Sequence, residues 1–103
     1  MARPRLLVDK TELVCIIIGK KKASTKNVTY DRITNITIEP CTVTKFVFIR
    51  KPSERIVFTI AGMDMITYVK EDEKQFFEGY KKEIRDFAKR NRVTLYDKME
   101  SQE

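Results

Sequence analysis

The sequence predicts an α+β domain, an antiparallel β half-barrel or sandwich capped by one C-terminal amphipathic helix. Three observations carry this. Short segments rich in β-branched and aromatic residues follow one another through the first part of the chain, separated by turn residues. From Asp72 onward the apolar spacing changes from a period of two to that of a helix. The chain has 103 residues, 42% apolar and 35% charged, which suits one globular domain with a heavily charged surface. We assign a single domain over 1–103, with its core at about 6–92 and a polar tail at 97–103 expected to fray.

Residues 13–18, Leu-Val-Cys-Ile-Ile-Ile, read as a strand buried on both faces, or nearly so. Gly19 ends it. The polar stretch 20–27, which holds Lys20, Lys21, Lys22 and Lys26, reads as a hairpin loop. Val28-Thr29-Tyr30 resumes a strand. Ile33, Ile36 and Ile38 follow, and the step of three between the first two calls for a bend or bulge near 31–35. Pro40 is expected to end that strand, because it offers no N–H to a ladder. Residues 44–50 read as another strand, with Phe46 and Phe48 on one face and Val47 and Ile49 on the other. Lys51-Pro52-Ser53-Glu54 reads as a turn. Ile56, Phe58 and Ile60 mark the returning strand, with Val57 and Thr59 opposite. Residues 62–67 form a connector, anchored by Ile66, Tyr68 and Val69.

In the helical stretch, Phe76, Tyr80, Ile84 and Phe87 fall at spacings of four, four and three, and Phe77 and Ala88 widen the stripe. Asp72 with Gln75 resembles a capping box. Glu71, Asp72 and Glu73 at the start, and Lys89, Arg90 and Arg92 at the end, complement the helix dipole. Gly79 suggests a close contact, and Asn91 suits the C-cap. Residues 93–96 read as a last short strand or an extended anchor.

The two cysteines, Cys15 and Cys41, lie among apolar or β-prone residues and read as reduced, mostly buried thiols, with one bridge allowed if their strands neighbour each other. The longest apolar run, 13–18, is far below a membrane span, and no signal peptide is visible. A cytoplasmic protein is expected, with room for a peripheral membrane role.

The stretch 28–36, Val-Thr-Tyr-Asp-Arg-Ile-Thr-Asn-Ile, resembles the "Y-x-x-I-x-x-I" element of bacterial PH-like (pleckstrin-homology-like) domains. The order of elements over about 6–92 is similar as well: a strand, a basic hairpin, the element itself, an aliphatic strand pair and a helix. The resemblance implies a PH-like half-barrel plugged by a helix, and it implies little chemistry, since the fold hosts many roles. With five or six strands counted here, against the seven of that family, the barrel is expected to be either incomplete or completed by a neighbouring chain.

The chain has no histidine, which removes the commonest general base and the commonest metal ligand. Cys15 and Cys41 are too few for a zinc site. The three glycines are isolated, so no phosphate-cradling loop exists. The acidic cluster 71–73 is explained by a helix start. The reading is of a non-enzymatic module without a cofactor. The net charge of +6 favours an anionic partner without naming one. Lys20, Lys21, Lys22 and Lys26 crowd one hairpin tip, and Arg50, Lys51 and Arg55 flank the other. These seven are the candidate lipid or anion site. In eukaryotic PH domains, basic residues at the first hairpin hold phosphoinositide headgroups. Nucleic acid is disfavoured, because the phenylalanines all fit core positions and leave no stacking row. Apolar residues on both faces of the strong hairpin point instead to a homo-oligomer or protein partner, with Val47, Ile49 and Val57 as the candidate interface. The leading expectation is protein–protein contact or self-association. The alternative is a peripheral module on an anionic membrane, held by the lysine-rich hairpin.

Overall fold

Seven strands and one long helix follow one another in the computed structural model, which describes residues 4–19, 21–45 and 47–99, and the side chains of all of these but Lys45. Strands β1 (Leu6–Val8), β2 (Glu12–Ile18) and β3 (Ala23–Thr29) form one antiparallel sheet in that order. Strands β4 (Ile33–Lys45), β5 (Ile49–Ile60) and β6 (Ile66–Val69) form most of a second. After helix α1 (Phe77–Asn91), β7 (Leu95–Asp97) returns to the far side of β4, giving the order β6-β5-β4-β7. The expected class holds: α+β, two sheets and a C-terminal amphipathic helix. The strand count is seven among the described residues rather than five or six. The sheet is also mixed, since β7 lies parallel to β4.

The core forms where the two sheets and the helix meet. Leu13, Val28, Ile36, Ile38, Ile56, Phe58, Phe77, Ile84 and Phe87 are buried there. Phe58 packs edge-on against Tyr68, with ring centroids 6.1 Å apart. The expected helical stripe is present, with Tyr80 and Ala88 buried and Phe76 half-buried. The bulge expected in 31–35 is also present, as a register shift between Ile33 and Asn35. It brings Ile33, Ile36 and Ile38 onto one face.

Several local expectations fail. Strand β2 is not buried on both faces. Leu13 and Cys15 are buried on one face, Val14 and Ile16 on the other are only half-buried, and Ile17 and Ile18 at the strand's end are exposed. The loop 20–27 is much shorter, since β3 already begins at Ala23 and the Gly19 N–H donates to the Lys22 carbonyl at 3.0 Å. The connector 62–67 gives way to β6 at Ile66.

Pro40 does not end its strand, and 51–54 is not a turn. Both lie inside one long hairpin in which Pro40 stands opposite Glu54 and Thr42 opposite Pro52. Alternation explains this. Ile36 donates its N–H to Thr94, and the Ile38 carbonyl accepts from the Lys98 N–H, so even-numbered residues of β4 face β7 and not β5. Pro40 therefore lacks its N–H on an open edge, beyond the end of β7. Ala61 donates its N–H to the Arg32 carbonyl, so odd residues of β5 face β4 and even ones face β6. Pro52 likewise points its missing donor to an open edge, as β6 pairing stops at Arg55. The expected strand 44–50 is thus not one strand, since Thr44 and Lys45 close β4 while Ile49 and Arg50 open β5.

The helix begins later than Asp72. A 3-10 turn occupies Lys70–Asp72, the N-cap is Phe76 without a side-chain cap, and the Asp72–Gln75 box does not form. Glu73 is instead buried, where it accepts a hydrogen bond from the Tyr80 hydroxyl at 3.0 Å. The acidic run 71–73 thus precedes the helix, and the dipole does not explain it. At the other end Lys89 and Arg90 sit in the last turn as expected. The cap is Arg92, in the left-handed region at φ 56°, rather than Asn91. The tail does not fray from 97. Asp97 accepts from Arg85 at 2.8 Å, and Met99 packs on the core. Residues 100–103 lie outside the described ones.

Gly79 marks no close contact, because a Cβ added there meets nothing within 4 Å. Gly79→Ala should therefore stabilise the protein by up to about 1 kcal/mol. Thermal unfolding would show a midpoint raised by several degrees, and a fall would mean that this turn of the helix is crowded.

Candidate functional site

Beyond Glu39 on β4 and Arg55 on β5, the second sheet thins to two strands. Pairing with β7 ends at Ile38, and pairing with β6 ends at Arg55. Six further pairs, from Pro40–Glu54 to Lys45–Ile49, continue alone. At about 3.3 Å per residue this two-stranded arm extends roughly 20 Å.

Ion pairs anchor its base. The Arg55 guanidinium donates to Glu39 through Nε at 2.6 Å and also pairs through Nη2, and Lys98 Nζ lies 3.7 Å from the same carboxylate. Glu54 accepts from Lys81 on α1 at 2.8 Å and from Lys70 at 3.3 Å. Burial alone would push the Glu54 carboxyl up, but the hydrogen bonds from Lys81 and Lys70 outweigh it and hold the group below its ordinary range. Lys51 lies 3.6 Å from Glu71.

The tip carries no such ties. Val47 is 83% exposed, Phe48 93% and Ile49 53%. Phe46 lies outside the described residues. Arg50 follows, exposed and without an ion pair among the described residues. From Pro40 to Ser53 the sequence holds Lys45, Arg50 and Lys51 and no aspartate or glutamate. The tip is thus an apolar cap with a cationic collar. Phe48 is not a core residue, contrary to the expectation for the phenylalanines.

The seven candidate basic residues do not converge. Lys21 and Lys22 sit at the β2–β3 turn, both exposed. Lys20 lies outside the described residues. Lys26 is in β3, opposite Cys15, and shares a shallow cavity with Ile17, Gly62, Met63 and Asp64. That cavity adjoins the turn that follows β5. Arg50 and Lys51 lie at the other end of β5, about ten residues away, a separation of up to roughly 33 Å along the strand. Arg55 lies between, committed to Glu39. The candidate interface also divides. Val47 and Ile49 belong to the tip, whereas Val57 is half-buried at mid-sheet in register with Thr37 and Thr67.

The cysteines are free. They lie on strands of different sheets, so the condition for a bridge is not met. Burial pushes the Cys15 thiol up to about 11, which keeps it a protonated, inert hydrophobe at neutral pH. Among the described residues no group of three or more acidic or cysteine side chains could hold a metal ion. None of their helices is long and apolar enough to cross a membrane. No protein-family model matches the chain, and comparison with curated proteins and with solved structures returns no match.

One signal for the arm is present in the sequence. The apolar triplets Ile33, Ile36, Ile38 and Ile56, Phe58, Ile60 mirror one another about residue 47, as the arms of one long hairpin must.

Proposed function

We propose that the protein is a non-enzymatic interaction module whose contact element is the β4–β5 arm. The exposure of Val47 and Phe48 at its tip carries this reading. Side chains this exposed contribute almost nothing to folding, because burial stabilises only through area removed from water. A turn serving the fold alone favours glycine, asparagine or aspartate, not valine and phenylalanine. The lack of histidine supports the non-enzymatic half of the proposal.

Self-association is a second form of the same proposal. Val57 favours it, on an outer row with Thr37, exposed Thr67 and exposed Tyr96. A PH-like affiliation belongs to the proposal too. Its support is the order of elements, with strand β7 added after the helix.

The variant Val47→Ser/Phe48→Ser tests the reading. Its unfolding free energy should stay within about 0.5 kcal/mol of wild type. It should also lose whatever association wild type shows on vesicles or between copies. A loss of stability above roughly 1 kcal/mol would place the tip in the fold and end the proposal.

A further inference from the structure

We infer that the occupant of the arm's tip is the interfacial zone of an anionic lipid bilayer, an inference that rests on the arm reading above. Charge is the first reason. The stretch 40–53 carries three cations and no acid, and Arg50 and Lys51 stand directly behind the apolar residues. Anionic headgroups complement that collar while Val47, Phe48 and Ile49 enter the boundary between headgroups and acyl chains. Phenylalanine is among the residues that interfacial elements bury at that depth.

Reach is the second reason. The arm extends roughly 20 Å past its last supported pair, more than two Debye lengths of about 8 Å at physiological salt. Glu39 and Glu54 at its base are therefore screened from a surface that the tip touches, whereas Glu71 lies 3.6 Å from Lys51 and offsets part of that cation's charge, which leaves Arg50 as the main contact for anionic headgroups.

The third reason disfavours a second copy of the chain. Pro40 and Pro52 remove donors from both open edges of the arm, which blunts strand-to-strand addition. Two tips placed together would also oppose the two collars, like charge to like. The site differs from the lysine-rich β2–β3 turn and needs no headgroup pocket. It recognises the charge and softness of a surface.

The experiment is co-sedimentation of the full chain with phosphatidylcholine vesicles and with vesicles holding roughly 30% phosphatidylserine, at about 0.1 M and about 0.5 M salt. Wild type is compared with Val47→Ser/Phe48→Ser and with Arg50→Gln/Lys51→Gln. Sedimentation velocity without vesicles runs in parallel, and circular dichroism checks the fold of each variant. Wild type should pellet with the anionic vesicles at low salt, and each variant should partition at least tenfold more weakly. Equal pelleting of wild type and the serine variant would overturn the inference, since adsorption would then run through another surface such as Lys21 and Lys22. No pelleting of wild type would overturn it too. The arm reading would survive that result if wild type self-associates and the serine variant does not. If both are monomeric and neither pellets, the bilayer and the second copy both fall as occupants, and the arm reading falls with them.

Discussion

Phe58→Ala should destabilise the protein by about 3–5 kcal/mol. Phe58 is fully buried near the C-terminal end of β5. Its ring meets Tyr68, which in turn lies edge-on to Tyr80 with centroids 6.0 Å apart. Truncation therefore leaves a cavity where β5, β6 and α1 meet, and close-packed surroundings can refill it only in part. The Tyr68 hydroxyl also donates to the Arg5 carbonyl at 2.8 Å, and the Arg5 N–H donates to the Tyr80 hydroxyl at 2.8 Å. A shift of either ring would loosen the tether of β1 as well. Domains of this size are stable by only about 5–15 kcal/mol. Urea unfolding would show the midpoint falling by a large fraction. A change below roughly 1 kcal/mol would mean that the aromatic cluster is not the keystone of this core.

Glu54→Ala should cost about 1–3 kcal/mol at neutral pH, by leaving the buried ammonium of Lys81 short of its strongest partner. The side chains of Glu54 and Lys81 are 14% and 10% exposed, and Glu78, at 3.1 Å from Lys81, is the remaining acid and largely solvated. The pH dependence follows from the direction of the Glu54 shift. Its carboxyl titrates below its ordinary value of 4.5 in the folded chain, so the unfolded chain binds the proton first as pH falls. The stabilisation is therefore complete above the ordinary value and is lost on acidification through the lower folded one. Wild type and Glu54→Ala should converge in stability as pH falls below 4.5. Burial alone would push Lys81 down, but its hydrogen bonds to Glu54 and Glu78 hold it above 10.5. Its contribution is thus full below that value and is lost only as pH rises through the folded one. A pH-independent gap between the two proteins would refute the pairing as its source.

The parts of the fold legible in the sequence are those where burial imposes a period. Ile56, Phe58 and Ile60 could only be one face of a strand, and Phe76 to Phe87 one face of a helix. The bulge after Ile33 followed from a broken period in the same way. The arm was not legible for two physical reasons. A proline forbids a ladder only when its N–H would face the partner, and nothing in the letters around Pro40 or Pro52 tells which side that is. An apolar run such as Val47-Phe48-Ile49 also reads as a buried strand, whereas here it caps a turn. The candidate basic site was half legible. The sequence located Arg50 and Lys51 beside a hairpin end, but it took the wrong residues for the turn. It could not show that Lys26 faces the opposite end of β5.

The return of β7 to β4 has a consequence for synthesis on the ribosome. The edge at Ile36 and Ile38 is closed by a strand that lies about sixty residues later, and no nearer segment takes its place. At about 5–20 residues per second, the nascent chain carries that edge open for several seconds. Helix α1 must also have emerged before the edge can be sealed. Conditions that slow translation over this interval should raise the fraction of chain that needs a chaperone, and faster completion should lower it.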